Sequence, residues 1–152
     1  MLAPLDGEAQ PLHDWLMTFH FATVVLDPYT NESSWVLPAA TRILRAFSGA
    51  AVRSNLLVTA DATDAKAFLG PWTKEFLVFT VPERAFVKSL GLTHLPAFVF
   101  IRMDGSVKSC AEGWDPVAWR TVANDIATTT AWSRPNIPGP GDPAKFTGSL
   151  AV

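Results

Sequence analysis

LGLTHLPAFVFIRMDGSV, residues 90–107, decides how this chain closes its β-sheet. Gly91 marks the end of a helical run predicted over 82–92, PERAFVKSLGL, with a proline in its first turn. A short loop then leads through Leu95-Pro96 into a strand predicted over 97–103, AFVFIRM. Asp104-Gly105 is a hairpin signal, because a tight two-residue turn needs positive φ that glycine adopts without steric cost. The second arm, SVKSCAE over 106–112, must therefore run antiparallel to the first. Alternation from Val107 puts Lys108 and Cys110 on one face and Val107 and Ser109 on the other.

Working toward the C-terminus, DPVAWRTVANDIA (115–127) reads as an amphipathic helix capped by Asp115, with Pro116 at its first position. Val117, Trp119, Val122, Ala123 and Ile126 are expected to face a sheet. From Ser133 onward, Pro135, Pro138, Pro140 and Pro143 favour an extended tail, which either packs back over the domain with Trp132 or presents a docking surface.

Working toward the N-terminus, FLVFT (76–80) reads as a short strand and DATDAKAFL (61–69) as a helix capped by Asp61 or Thr63. VRSNLLVT (52–59) is a strand. Residues 33–47 have helical spacing, with Trp35, Ala39, Ile43 and Phe47 on one stripe and Val36, Ala40 and Leu44 beside it. Thr30 or Ser33 caps that helix, and Pro38 bends it or lies in its first turn. FATVVL (21–26) is apolar at successive positions, as a central strand covered on both faces requires. HDWLMTF (13–19) is a short helix with Trp15, Leu16 and Phe19 on one side, and 1–12 is a loose leader. Strands 21–26 and 52–59 joined by a helix form a parallel βαβ unit. The expected architecture is α/β: a mixed central sheet, parallel βαβ plus a C-terminal antiparallel hairpin, with helices on both faces. It divides into a leader (1–12), one domain (13–132) and a Pro/Gly-rich tail (133–152).

Composition bounds function. Of 152 residues, 49% are hydrophobic and 17% charged, with ten Phe and six Trp, which implies either a large core or a face covered by a partner. The net charge of −2 with scattered Lys and Arg lacks the basic stripe that nucleic acid needs. Cys110 is the single cysteine, so no internal disulfide can form, and this favours a cytoplasmic location. Residues 1–12 have neither the basic nor the apolar region of a signal peptide, and no stretch is long enough to span a bilayer. His13, His20 and His94 follow no metal-ligand spacing, so no metal and no cofactor is expected.

The element order together with residues 90–107 resembles the thioredoxin superfamily over residues 20–129, with Leu95-Pro96 in the place of the family's cis-proline. The longer segment 60–82 is similar to the inserted segment of peroxiredoxin-like and membrane-tethered thioredoxin-like members. Laid on the family's first helix, Tyr29 takes the position of the aromatic residue and Thr30-Asn31-Glu32-Ser33 that of Cys-x-x-Cys, and Pro38 follows five residues after Ser33 as the family's helix proline does. Hydroxyls thus replace both sulfurs. Thiol chemistry needs a thiolate at this helix tip, which a hydroxyl does not supply without a strong base. The resemblance implies a groove between Tyr29–Trp35 and Leu95–Pro96 in which an extended peptide pairs with the residue before the proline. Its candidate residues are Tyr29, Thr30, Glu32, Ser33, Trp35, His94, Leu95 and Pro96. The expected role is a redox-inactive binding or assembly module for a protein partner or a second copy. The alternative is a thiol-dependent enzyme of peroxiredoxin or glutathione-transferase type, using Cys110 or the Thr30/Ser33 hydroxyls. Glu32 is expected as a carboxylate favoured by the helix N-terminus, and Asp27 as a cap or turn residue.

Overall fold

The run FATVVL behaves as its composition dictates: β2 (His20–Leu26) is buried at every position after His20. The computed structural model describes residues 2–151. Six strands form one sheet in the order β1-β4-β3-β2-β6-β7. These are β1 (Ala3–Pro4), β3 (Val52–Val58), β4 (Leu77–Thr80), β6 (Ala97–Ile101) and β7 (Val107–Glu112) around β2. β2 pairs parallel with β3, and β3 parallel with β4, while β6 runs antiparallel to β2 and β7 antiparallel to β6. The Asp104-Gly105 turn joins β6 to β7, with Gly105 at φ 88 as that turn requires.

Because side chains alternate across a strand, the sheet carries two cores. On one face Ala22, Val24 and Leu26 meet α2 (Asn31–Ala46) and α6 (Pro116–Thr130) through Ile43, Leu44, Trp119, Val122 and Ile126. Phe98 packs on Trp119 at a tilt, and Trp119 meets Trp114 edge to face, each pair with ring centroids 5.0 Å apart. On the other face Phe21, Val25, Phe79 and Val99 pack with Leu16 and Val87. These two come from the segments of α1 (Leu12–Trp15) and α5 (Ala85–Ser89). Between β3 and β4 stand α3 (Ala62–Leu69), capped by the Asp61 carboxylate, and the single turn α4 (Trp72–Glu75).

Four expectations need correction. The leader is not loose: Leu2 is fully buried and β1 pairs with β4, covering what would otherwise be an open sheet edge. The helix expected over 82–92 shrinks to α5, because Arg84 adopts a left-handed conformation (φ 59) ahead of it. The helix expected over 13–19 is one turn, and Phe19 stays 38% exposed. Val117 faces solvent at 64% exposure, beside the Asp115 cap, rather than the sheet. Pro38 does sit inside α2, on its exposed face, and Thr41 bonds to the carbonyls of Leu37 and Pro38 near it.

The proline-rich segment is extended and lies along the domain. Trp132 donates its indole N–H to the Ala46 carbonyl (2.8 Å), and its ring lies against Gly49. Ile137 enters the first core, between Arg42, which bonds the Asn136 carbonyl and Asp142, and Arg120, which bonds the Ile137 carbonyl. Phe146 then exchanges backbone hydrogen bonds with Trp114, whose indole N–H reaches the Pro143 carbonyl at 2.7 Å. The segment ends as β8 (Ser149–Leu150), antiparallel to β5 (His94–Leu95).

Candidate peptide groove

Two elements frame the groove. The first is the start of α2, which follows β2 after the turn at Asp27-Pro28. The buried Ser33 hydroxyl accepts the Asp27 N–H at 2.9 Å and so ties the helix back to the end of β2. Thr30 occupies the N-cap position but makes no side-chain cap bond. Its hydroxyl donates to the Asp27 carbonyl (2.9 Å) and lies 3.4 Å from Ser33 Oγ. The two hydroxyls therefore sit side by side at the helix tip, and among the described residues neither is hydrogen-bonded to a histidine, lysine or carboxylate side chain. The Asp27 carboxylate is committed to the Tyr29 N–H and, at 2.6 Å, to the Arg84 guanidinium.

The second element is the loop carrying β5, held from beneath by Glu112 of β7. One Glu112 carboxylate oxygen accepts the N–H groups of Thr93 (2.5 Å) and His94 (3.2 Å). The Leu95–Pro96 peptide bond is cis, and the Pro96 carbonyl accepts the Gly113 N–H at 2.7 Å. Leu95 itself is fully buried in the second core.

Between these walls runs the chain's own segment 146–151. His94 pairs with Leu150 and Leu95 with Ser149. The Ser149 hydroxyl donates to Glu32 (2.7 Å), which holds the Glu32 carboxyl below its usual range. Phe146 meets the exposed Trp35 edge to face, with centroids 5.6 Å apart. Ala151, fully buried, donates its N–H to the Thr93 carbonyl and accepts from Arg84 Nη1 at 2.6 Å.

Of the eight residues expected in the groove, Glu32, Trp35, His94 and Leu95 thus meet the same strand. Thr30 and Ser33 lie at the helix tip, with Ser33 buried as a structural bond. Tyr29 turns away: its phenol donates to Asp64 of α3 at 2.5 Å, and that bond pushes the phenol up to about 12. Cys110 lies elsewhere, on the edge strand β7 opposite Val99, where burial and the Glu112 charge raise its thiol pKa and so disfavour the thiolate. Among the described residues, no cluster of His, Cys, Asp or Glu could hold a metal ion, and no helix is long and apolar enough to cross a membrane.

Sequence reasoning passed over Arg84, Glu112, Gly113 and Gly148. Arg84 sits in a stretch that reads as helix. The two glycines carried a signal, since each adopts positive φ (65 and 92) where the segment crosses the domain.

No protein-family profile matches this sequence, and no curated protein matches it. Solved structures do. A chain assigned as the thiol:disulfide interchange protein DsbE of Chlorobium tepidum superposes with a TM-score of 0.68 at 16% identity, over 86% of this chain and 94% of that one. A secreted Mycobacterium tuberculosis disulfide oxidoreductase, homologous to E. coli DsbE, gives 0.61 at 19% identity, over 86% and 94%. The exposed lipoprotein thioredoxin Etrx1 of Streptococcus pneumoniae gives 0.63 at 18%, over 81% and 96%. The fold is therefore thioredoxin-like. Within that fold this chain, having one cysteine, has no Cys-x-x-Cys pair.

Proposed function

We propose that this chain is a redox-inactive thioredoxin-like module that binds an extended segment of a partner protein by strand addition at β5. The observation that carries the reading is the β5–β8 pairing: an extended chain already sits antiparallel against His94–Leu95, with Glu32 and Trp35 touching it from the α2 side. Main-chain bonds of this kind need no sulfur, so the groove keeps its binding chemistry where Thr30 and Ser33 replace cysteines. The thiol-enzyme alternative has less support: the Cys110 thiol pKa is raised, and among the described residues no basic side chain hydrogen-bonds the Thr30 or Ser33 hydroxyl. A cytoplasmic location belongs to the same proposal and rests on the single unpaired thiol.

The test uses nonapeptides selected on the full chain from a random displayed library. They should cross-link to a photoreactive residue placed at Trp35 and not to one placed at Lys108 on β7. Equal cross-linking at both positions would overturn the reading. So would catalysed insulin reduction above the dithiothreitol background.

A further inference from the structure

The groove is shaped around one particular occupant. A Cβ at Gly148 would lie 2.4 Å from the Leu95 carbonyl oxygen, and a Cβ at Gly113 2.3 Å from that of Thr147, so both backbones approach too closely for any side chain. After Gly148 the demands alternate along the strand. Ser149 gives its hydroxyl to Glu32, Leu150 is 70% exposed, and Ala151 is fully buried with its carbonyl bonded to Arg84. The segment's attachment also differs along its length. Residues 132–142 are fixed through Trp132, Ile137 and the Arg42–Asp142 ion pair at 2.6 Å. Past Pro140-Gly141 (φ 83) the chain reaches the groove, where it is held chiefly through its backbone: Pro143 by the Trp114 indole, Phe146 by Trp114, two residues by β5, and Ala151 by Thr93 and Arg84, while the Lys145–Asp115 ion pair is a loose 3.7 Å.

We propose that residues 143–151 are a built-in ligand that closes the groove. A partner displaces them by presenting an extended segment of the same pattern: glycine, then serine or threonine, then any residue, then a small residue such as alanine. This rests on the strand-addition reading of the groove and adds its regulation and its sequence preference. The pattern follows from the contacts. Only glycine fits against the Leu95 carbonyl, a hydroxyl satisfies Glu32, the third side chain points to solvent, and the fourth is fully buried, as Ala151 is.

The experiment measures fluorescence anisotropy of a labelled synthetic peptide, PAKFTGSLA (residues 143–151), on three full-length proteins: the native chain, Gly148→Ala and Ala151→Glu. Both substitutions lie on the arm and leave the groove walls unchanged. The peptide should bind each variant at least tenfold more tightly than the native chain. A peptide carrying Ala151→Trp should lose at least tenfold on the variants. The inference is overturned if both variants, folded by circular dichroism, bind the peptide no better than the native chain does. It is equally overturned if the Ala151→Trp peptide binds as well as the parent. Library peptides that bind the native and Gly148→Ala chains alike would remove the built-in ligand while leaving strand addition standing. Binding of PAKFTGSLA to the opened variants with no foreign segment bound would do the reverse.

Discussion

Tyr29 is the only tyrosine in the chain, which makes it a clean reporter of one contact. By position it is an aromatic residue at the mouth of the groove, yet its side chain is committed to α3. The phenol donates to Asp64, and the nearby Asp61 and Asp27 charges further oppose its ionisation. The protonated phenol is favoured in the folded chain, so the contribution of this bond is complete below the ordinary tyrosine pKa near 10 and is lost as pH rises through about 12. A spectrophotometric titration of tyrosinate should show a midpoint near 12 in the native chain and a midpoint shifted down toward the ordinary 10 in Asp64→Ala. A native midpoint at the ordinary value would show that Tyr29 is free to face the groove. Ser33 and Cys110 make the complementary point that residue type alone does not define a site. The buried Ser33 hydroxyl serves as an acceptor that anchors a helix, and burial together with the Glu112 charge raises the Cys110 thiol pKa and so disfavours the thiolate.

At the scale of elements, the start of α2 brings two hydroxyl side chains together at the helix tip. Thr30 and Ser33 are one helical turn apart, and their hydroxyl oxygens lie 3.4 Å from each other. A disulfide requires its two Cβ atoms within about 4.5 Å, and side chains whose terminal oxygens lie this close are a direct test of that requirement. In a Cys110→Ser background, Thr30→Cys/Ser33→Cys should therefore oxidise fully and show no free thiol by thiol titration. Two free thiols persisting under oxidising conditions would show that the helix tip cannot close the bond. How legible each element was follows from what fixes it. β2, β3, α2, α6 and the β6–β7 hairpin are set by local periodicity and by Asp115, Pro116 and Gly105, all of which a sequence displays directly. The partners of β1, β8 and Arg84 lie far along the chain: Ala3 meets Thr80, Leu95 meets Ser149, and Arg84 meets Ala151. No local pattern encodes such pairings, so the 1–12 leader reads as loose, and for the tail the sequence leaves open packing back over the domain or presenting a docking surface. The candidate groove residues follow from the resemblance of Leu95-Pro96 and of the start of α2 to a known family, not from local periodicity. The groove's occupant was not legible.

At the scale of the whole molecule, the segment after α6 ties both ends of the fold together. It begins at the C-terminal end of α2 with Trp132 on Ala46, crosses the helical face through Ile137, and finishes against the opposite core with Ala151. Its last anchor on α2 is the Ser149–Glu32 bond, and that bond titrates. The bond from Ser149 and the Glu32 backbone amide lower the carboxyl pKa from its usual 4.5. A carboxylate depressed in the folded state contributes its stabilisation above the usual value and loses it as pH falls through the depressed one. The seated arm should therefore loosen only in acid, below about pH 4.5. The Ala151 amide resonance, followed by heteronuclear NMR from neutral pH downward, should shift with a midpoint under that value. In Ser149→Ala the Glu32 carboxyl loses its main stabilising partner, and the Glu32 side-chain resonance should titrate closer to the usual value. Glu32 midpoints that coincide in the native chain and in Ser149→Ala would mean that the hydroxyl does not hold the carboxylate in solution, and that the arm is seated by its backbone pairing and Ala151 alone.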